Sequence, residues 1–385
     1  MLRRARRSFF RTTTPGEDYA MEKLTIGIEE EYQIIDPETR ELTSYITEFL
    51  EQGAMVFRDQ VKPEFLQSQI EVGSKVCQDI KEAKREVKKL RNLVGEIADK
   101  NNRKILAAGT HPFSRWNDQT ITDRDRYHGL LDSMQYVARR LLIFGMHIHV
   151  GIPDRNLQID LMNQMSYFMP HILTLSTSSP FWWGHNTGLK SYRSIIFEDL
   201  PRTGVPERFN SALEYDEYIG TLVNSGCIDE PTKIWWDIRP HPKFPTLEFR
   251  VCDCTTKVDE VIAIAALIQA LVAKLIQLRR KNQTWRIYRR TLIAENKWRA
   301  LKDGIHGNLI DFGKESEVPV KQLMEEMLEL VDDVVDELGT RQEIEYIRTI
   351  LEHGTSADRQ VKCFEETGSL EAVVDQLIEE TFEGC

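Results

Sequence analysis

At 385 residues the chain is long enough for one large domain or two ordinary ones, and 41% apolar with 29% charged residues places it among folded globular proteins. A formal charge of −11 excludes a nucleic-acid binder that relies on a broad basic surface. The longest apolar stretch, Val261 to Ala273, is too short to cross a bilayer and reads as a buried helix, so no membrane partner is expected.

The first 20 residues hold five arginines and two acids, a net of +3, which leaves −14 on the remainder. This Arg-, Thr- and Pro-bearing stretch is expected to be a disordered extension, with a transit-like peptide as the alternative, so folding is expected to start at Met21. Strand signals cover Leu24 to Ile35, closed by the turn Asp36-Pro37-Glu38-Thr39, and then about Phe65 to Val72. Ile80, Ala83, Val87, Leu90, Val94 and Ile97 recur at three- and four-residue spacing and predict a long amphipathic helix. Lys104 to Ala108 reads as a short buried strand and Arg140 to Ile152 as a longer one. Helix follows from about Leu157 to Leu175, then a loop-rich stretch from Ser176 to Pro206. Pro245 to Cys254 is a further strand. The apolar helix after Val258 and charged helices at about 319–338, 341–352 and 369–382 complete the chain.

Strands concentrate in the first two-thirds and helices in the last third, without βαβ alternation. That pattern predicts an α+β fold with a largely antiparallel sheet and one catalytic domain from 21 to 385. Six cysteines without a CxxC pair (Cys77, Cys227, Cys252, Cys254, Cys363, Cys385) predict reduced thiols in a cytoplasmic protein. Cys252 and Cys254 alternate along a predicted strand and are expected to share a face. The charged C-terminal helices are candidates for a homodimer contact.

Four strand motifs carry chemistry. In Gly27-Ile28-Glu29-Glu30-Glu31-Tyr32, alternation puts Glu29 and Glu31 on one face and Glu30 on the other. Paired carboxylates on a mostly buried strand need a cation, the plainer reading being a solvated strand end. In Glu64-Phe65-Leu66-Gln67-Ser68-Gln69-Ile70-Glu71, Gln67, Gln69 and Glu71 share a face and Glu64 precedes it, the plainer reading being an exposed polar face. Phe144-Gly145-Met146-His147-Ile148-His149 puts two histidines on one face of an apolar strand, a pattern that zinc also uses. In Leu247-Glu248-Phe249-Arg250, Glu248 and Arg250 share a face, and a simple salt bridge is the plainer reading. Taken together these residues line one sheet. Hard divalent cations such as Mg²⁺ take oxygen ligands completed by water and substrate phosphates, so a carboxylate-lined sheet suits phosphoryl transfer.

With Glu295-Asn296-Lys297-Trp298-Arg299 and Gly354-Thr355-Ser356-Ala357-Asp358-Arg359-Gln360 added, six motifs in this order resemble the glutamate–cysteine ligase superfamily over about Leu24 to Gln360. The closest likeness is to its bacterial carboxylate–amine ligase branch. The resemblance implies a glutamine synthetase-like fold, a curved antiparallel sheet flanked by helices, and an ATP- and Mg²⁺-dependent ligase (Mn²⁺ as a substitute). It implies metal-binding positions at Glu29, Glu31, Glu64, Glu71, His147 and Glu248, and a phosphate-contacting Arg250. Arg193, in the loop-rich middle, is expected to clamp a substrate carboxylate, and Asn296, Arg299 and Arg359 to reach nucleotide or substrate. The tryptophan pairs Trp182–Trp183 and Trp235–Trp236 are expected to pack rather than stack on ligand. The implied reaction joins a carboxylate, glutamate's γ-carboxylate by resemblance, to an amine through an acyl phosphate. Glu248→Gln is then expected to abolish activity with little loss of stability. A phosphotransferase resembling guanidino kinases and a zinc hydrolase built on His147 and His149 are the competing readings.

Overall fold

Side-chain alternation organises the sheet. In Ile26–Ile35 (β1), Ile26, Ile28, Glu30 and Tyr32 turn to the buried face, and Glu29 and Glu31 turn to the other. The computed structural model describes residues 24–46, 49–50 and 60–385. The expected extension over residues 1–20 lies outside the described residues.

Six further strands complete the sheet: β2 (Val61–Pro63), β3 (Gln69–Gly73), β4 (Lys104–Leu106), β5 (Gly145–Gly151), β6 (Ile238–Pro240) and β7 (Thr246–Asp253). Their order is β6-β7-β5-β1-β3-β2, with β4 pairing the far end of β1, and every pairing is antiparallel. This is the α+β, mainly antiparallel arrangement that the sequence predicts.

The helices that position the sheet are α1 (Ile80–Lys100), α2 (Asp125–Met134), α3 (Arg155–Met165), α4 (Met169–Ser176), α5 (Tyr192–Glu198) and α6 (Val258–Arg280). They are followed by α7 (Arg290–Asp303), α8 (Val320–Leu338), α9 (Arg341–His353), α10 (Ser356–Thr367) and α11 (Leu370–Thr381). Asp79 caps α1 by accepting from Glu82 N, and Ile80, Ala83, Val87, Leu90 and Val94 form its buried stripe. Helix α6 continues through Lys274, whose ammonium pairs with Asp333 at 2.7 Å, so it outruns the apolar stretch seen in the sequence. Among the described residues it is the one helix long and apolar enough to cross a membrane, yet most of it is buried against α1, α8, α9 and β1.

Three expectations are corrected. The predicted strand from Phe65 to Val72 is interrupted: Gln67 and Ser68 form a turn, and only Gln69–Gly73 pairs with β1. Gln67 therefore does not share a strand face with Glu71. Cys252 and Cys254 pack into different core clusters, because β7 ends at Asp253 between them. The helix expected over 157–175 is broken by a tight turn at Ser166–Phe168 between α3 and α4.

Beneath the sheet, fully buried Arg91 of α1 grips Glu30 of β1. Its guanidinium also donates to the carbonyls of Thr255 (3.1 Å), Thr256 and Thr381 (2.8 Å). Tyr32 donates its hydroxyl to the same carboxylate at 2.5 Å. A buried charge is tolerable only when paired and hydrogen-bonded. This network meets that condition and ties β1 to α1, α11 and the turn after β7.

Candidate active site

The odd-numbered face of β1 opens into a cavity of about 500 Å³. The register explains its composition. Glu31 lies directly opposite Glu71, and Glu71 opposite Lys62. Glu29 lies opposite His147, His149 opposite Glu248, and Glu248 opposite Arg239. Although the protein is acidic, eight lysine or arginine side chains line this cavity against five glutamates. A cationic lining over an acidic floor suits a polyanion brought in with divalent metal.

Arg250 owes its position to a β-bulge. Between Phe249 and Cys252, β7 spends one more residue than β5 does between Ile148 and Met146. The Arg250 amide bonds instead to Asp237 O at 2.7 Å, and its guanidinium meets Glu248 Oε1 at 2.5 Å. Arg239 holds the same carboxylate from the neighbouring strand, Nε to Oε2 at 2.7 Å and Nη2 to Oε1 at 3.3 Å. Burial opposes the Glu248 charge, but these two guanidiniums hold its carboxyl well below the usual range.

The opposite rim behaves differently. Burial pushes Glu31 up to about 7, with the Glu71 charge adding to it, although Arg193 and the Gly145 amide at 2.5 Å oppose the rise. Burial also drives Glu64 well above the usual carboxylate range, with Glu71 and Glu31 adding their repulsion. Like charges placed opposite each other across strands are destabilising unless a cation joins them. Lys62, 3.2 Å from Glu71, supplies only part of that charge.

Glu29 lies between the two histidines. Burial would raise its carboxyl, yet His147 and His149 hold it well below the usual range. His147 Nδ1 stands 3.3 Å from Glu29, and burial pushes that imidazole down to about 4. His149 Nδ1 bonds to the Thr246 hydroxyl at 3.1 Å, while its buried Nε2 makes no hydrogen bond among the described residues and lies 3.6 Å from Glu29. Burial disfavours the His149 cation, but the Glu29 and Glu248 carboxylates outweigh it and raise the group. Ligand atoms of Glu29, His149 and Glu248 come within 4.8 Å of one another. That separation, with an orphaned imidazole nitrogen aimed at two carboxylates, fits a divalent ion.

Arg193 enters from α5. Its guanidinium lies across Gly145, where a Cβ would meet Nη2 and push the guanidinium aside. Asp253, 3.9 Å from Nη1, is itself fixed by Ser178 N, Ser179 Oγ and Ser191 Oγ. Arg193 Nε is buried without a partner among the described residues, a donor free for an incoming carboxylate.

The cavity thus brings together Glu29, Glu31, Glu64, Glu71, His147, Glu248, Arg193 and Arg250. Asn296, Arg299 and Arg359 are not among its lining residues. Asn296 bonds in both directions with the Ile310 backbone, and so fixes a hairpin. Arg299 pairs with Glu295 and Glu317 on the surface, and Arg359 pairs with Glu260 and Glu380 between helices. Trp235 lines the cavity, whereas its neighbour Trp236 packs in the core. Sequence reading passed over Arg239, Lys62, Arg124, Arg126 and Tyr127, and it assigned His149 only to the zinc alternative. Arg239 stands opposite Glu248 only through the register of β6 on β7, Lys62 opposite Glu71 through that of β2 on β3, and Arg124, Arg126 and Tyr127 reach the cavity only through the packing of α2 and its start.

Residues 25–376 match the family model described as glutamate–cysteine ligase family 2. A Chloroflexus aurantiacus protein provisionally named glutamate–cysteine ligase 2 is 58% identical over 360 residues, covering 94% of this chain and 92% of its own. A protein of the same provisional name from Herpetosiphon aurantiacus is 56% identical over 94% of both chains. Among solved structures, the glutamate–cysteine ligase of Francisella tularensis in complex with AMP superposes with a TM-score of 0.69 at 13% identity, covering 94% of this chain and 89% of that one. The bifunctional glutathione synthetase of Pasteurella multocida gives 0.71 at 15% identity, covering 94% of this chain. This chain spans about half of that bifunctional protein, 52%. These neighbours share the glutamine synthetase-like fold.

Proposed function

The chain belongs to glutamate–cysteine ligase family 2, and on that premise we propose that its cavity joins the γ-carboxylate of glutamate to an amine at the expense of ATP. It is an ATP-dependent carboxylate–amine ligase. Relatives of this kind favour neither the phosphotransferase nor the zinc-hydrolase reading.

Two bond exchanges make the product. A carboxylate oxygen attacks the γ-phosphorus of ATP, ADP leaves, and an acyl phosphate forms. An amine nitrogen then attacks the acyl carbon, the C–O bond to phosphate breaks with its electron pair on phosphate, and the nitrogen loses a proton. Neither exchange needs a nucleophile from the protein, whose part is positioning and charge neutralisation.

In this reading Arg193 receives the α-carboxylate of glutamate through its unpaired Nε donor. Arg250, aimed by the bulge and braced by Glu248, meets charge on the transferring phosphoryl group. Arg239 fixes the Glu248 side chain, so that the acid faces the cavity in one rotamer. Mg²⁺ or Mn²⁺ fits Glu29, His149 and Glu248, with His147 beside Glu29, while Glu31, Glu64 and Glu71 line the same cavity and would offer further carboxylates to a metal carried in with the phosphates. Such ions, when bound, supply positive charge that neutralises both the carboxylates and the phosphates. A cytoplasmic setting is part of the proposal, since all six cysteines are free thiols.

The observation that carries this reading is the half-buried Glu31–Glu71 pair, facing each other on neighbouring strands with Glu64 beside them and cationic compensation incomplete. The test is ATP-dependent phosphate release with Mg²⁺ and glutamate across a panel of amines, with product mass determined. Release that requires both glutamate and an amine, with a γ-glutamyl product, is expected; ATP turnover without peptide product sinks the reading.

A further inference from the structure

We propose that Lys297 is a positioning residue: its buried ammonium ties the helix that carries Arg193 to the strand bulge that aims Arg250, and so sets the separation of these two arginines from behind the cavity. This rests on the ligase reading above, which gives the two arginines their roles.

Lys297 lies on α7, 5% exposed, between the fully buried Asn296 and the exposed Trp298. Its side chain does not line the cavity. Its Nζ stands 2.7 Å from each oxygen of Asp237 and 2.7 Å from Glu198 Oε1. An ammonium has three N–H donors, and three carboxylate oxygens surround this one.

Each acid leads to a different part of the site. Asp237 sits just before β6, its amide held by Gly204 O at 2.9 Å. Its carbonyl accepts the Arg250 amide at 2.7 Å, the bond that stands in for the interrupted ladder at the bulge. Glu198 is the last residue of α5, and Arg193 is the second residue of the same helix. The Arg193 guanidinium returns to the sheet through Nη2, which donates to Arg250 O at 3.5 Å. The contacts therefore close a ring, from Lys297 through Asp237, Arg250 and Arg193 and along α5 to Glu198. Its longest link is the one between the two arginines, so the ammonium on the far side holds them in register.

Helix α7 is a firm anchor for such a device. Asn296 bonds both ways with the Ile310 backbone, and the helix packs along α4. Burial disfavours the Lys297 cation, but Asp237 and Glu198 outweigh it and raise the group. Burial also lifts the Asp237 carboxyl, against the pull of Lys297. Charges kept out of water at this cost add little net stability over an apolar pair, so what the arrangement supplies is fixed geometry.

The test reads phosphate release with ATP, Mg²⁺, glutamate and an amine beside urea unfolding of the same samples. Glu198→Gln loosens only the α5 leg, at a carboxylate whose side chain is 41% exposed. It is expected to unfold like wild type and to raise KM for glutamate by ~3-fold or more, the scale of a half-exposed pair. Lys297→Met alone strands Asp237, so the charge-neutral pair Lys297→Met with Asp237→Asn is made as well. That double variant is expected to fold with kcat lowered ~10-fold or more, the effect of a sub-ångström misplacement. Lys297→Arg, which keeps the cation, should retain more of kcat than the double variant. An unchanged KM in Glu198→Gln overturns the proposal, as does a folded double variant with wild-type kcat. If the double variant does not fold, the KM of Glu198→Gln decides alone. Wild-type enzyme without glutamate-dependent phosphate release sinks the ligase reading and this proposal with it, whereas active wild type with unaffected variants sinks the Lys297 proposal alone.

Discussion

Replacing Glu248 by glutamine removes one negative charge from between the buried Arg239 and the half-buried Arg250 guanidiniums. Sequence alone led us to expect a stable, inactive variant. The structure changes the first half of that expectation. Glu248 is 1% exposed, and its two oxygens receive Arg239 at 2.7 and 3.3 Å and Arg250 at 2.5 Å. Breaking a buried ion pair by removing one partner costs about 3–5 kcal/mol, because the remaining charge is left uncompensated. Glutamine keeps one carbonyl acceptor, so the lower end, about 3 kcal/mol, is expected out of the ~5–15 kcal/mol typical of folded proteins. The carboxyl is held well below its ordinary value of 4.5, so its stabilisation is present above that value and is lost as pH falls through the lowered one. The gap between wild type and variant should therefore be full at pH 7 and shrink in acid. Urea unfolding in metal-free buffer measures the gap, and ATP-dependent phosphate release measures activity on the same samples. A midpoint shift worth less than about 1 kcal/mol at pH 7 would refute the picture of one acid bracing two arginines.

Three other outcomes are expected. Glu31 is raised to about 7, so in metal-free protein its favourable protonated form is present below 4.5 and lost as pH rises through about 7. Mn²⁺ or Mg²⁺ should raise Tm more at pH 8 than at pH 5.5; a metal-induced shift independent of pH would argue against carboxylate ligation there. Gly145→Ala places a methyl group against Arg193 and should raise KM for glutamate by ~10-fold, the loss of about one charge-assisted hydrogen bond, with kcat less affected. Unchanged KM would remove Arg193 from the glutamate site. Arg299→Ala breaks only exposed pairs with Glu295 and Glu317, so it should change stability by less than ~1 kcal/mol and leave KM for ATP unaltered. A large rise in that KM would return Arg299 to the nucleotide site.

Strand periodicity made half of the site legible. Because side chains alternate at every residue, Glu29 and Glu31 are assigned to one face and Glu30 to the other before any packing is known. The same rule pairs Glu248 with Arg250, and the apolar stripe of α1 follows from its helical spacing. Local pattern failed where the chain departs from regular structure. The turn at Gln67 and Ser68 breaks a strand that composition makes continuous. Asn296, Arg299 and Arg359 carry the right chemistry on helices whose orientation no local spacing records, and each is consumed by a structural contact.

What the sequence determined by itself is therefore the inventory and its sidedness: α+β class, an acid-rich sheet face, and the family motifs. What only the tertiary structure decided is partnership. Glu31 meets Glu71 across an antiparallel register, and Arg239 meets Glu248 across another. Arg250 is aimed by a bulge, and Arg193 reaches the site because Gly145 leaves it space. The reason is physical: alternation is a property of one strand, whereas register, bulges and clearance arise only when distant segments share the same few ångströms.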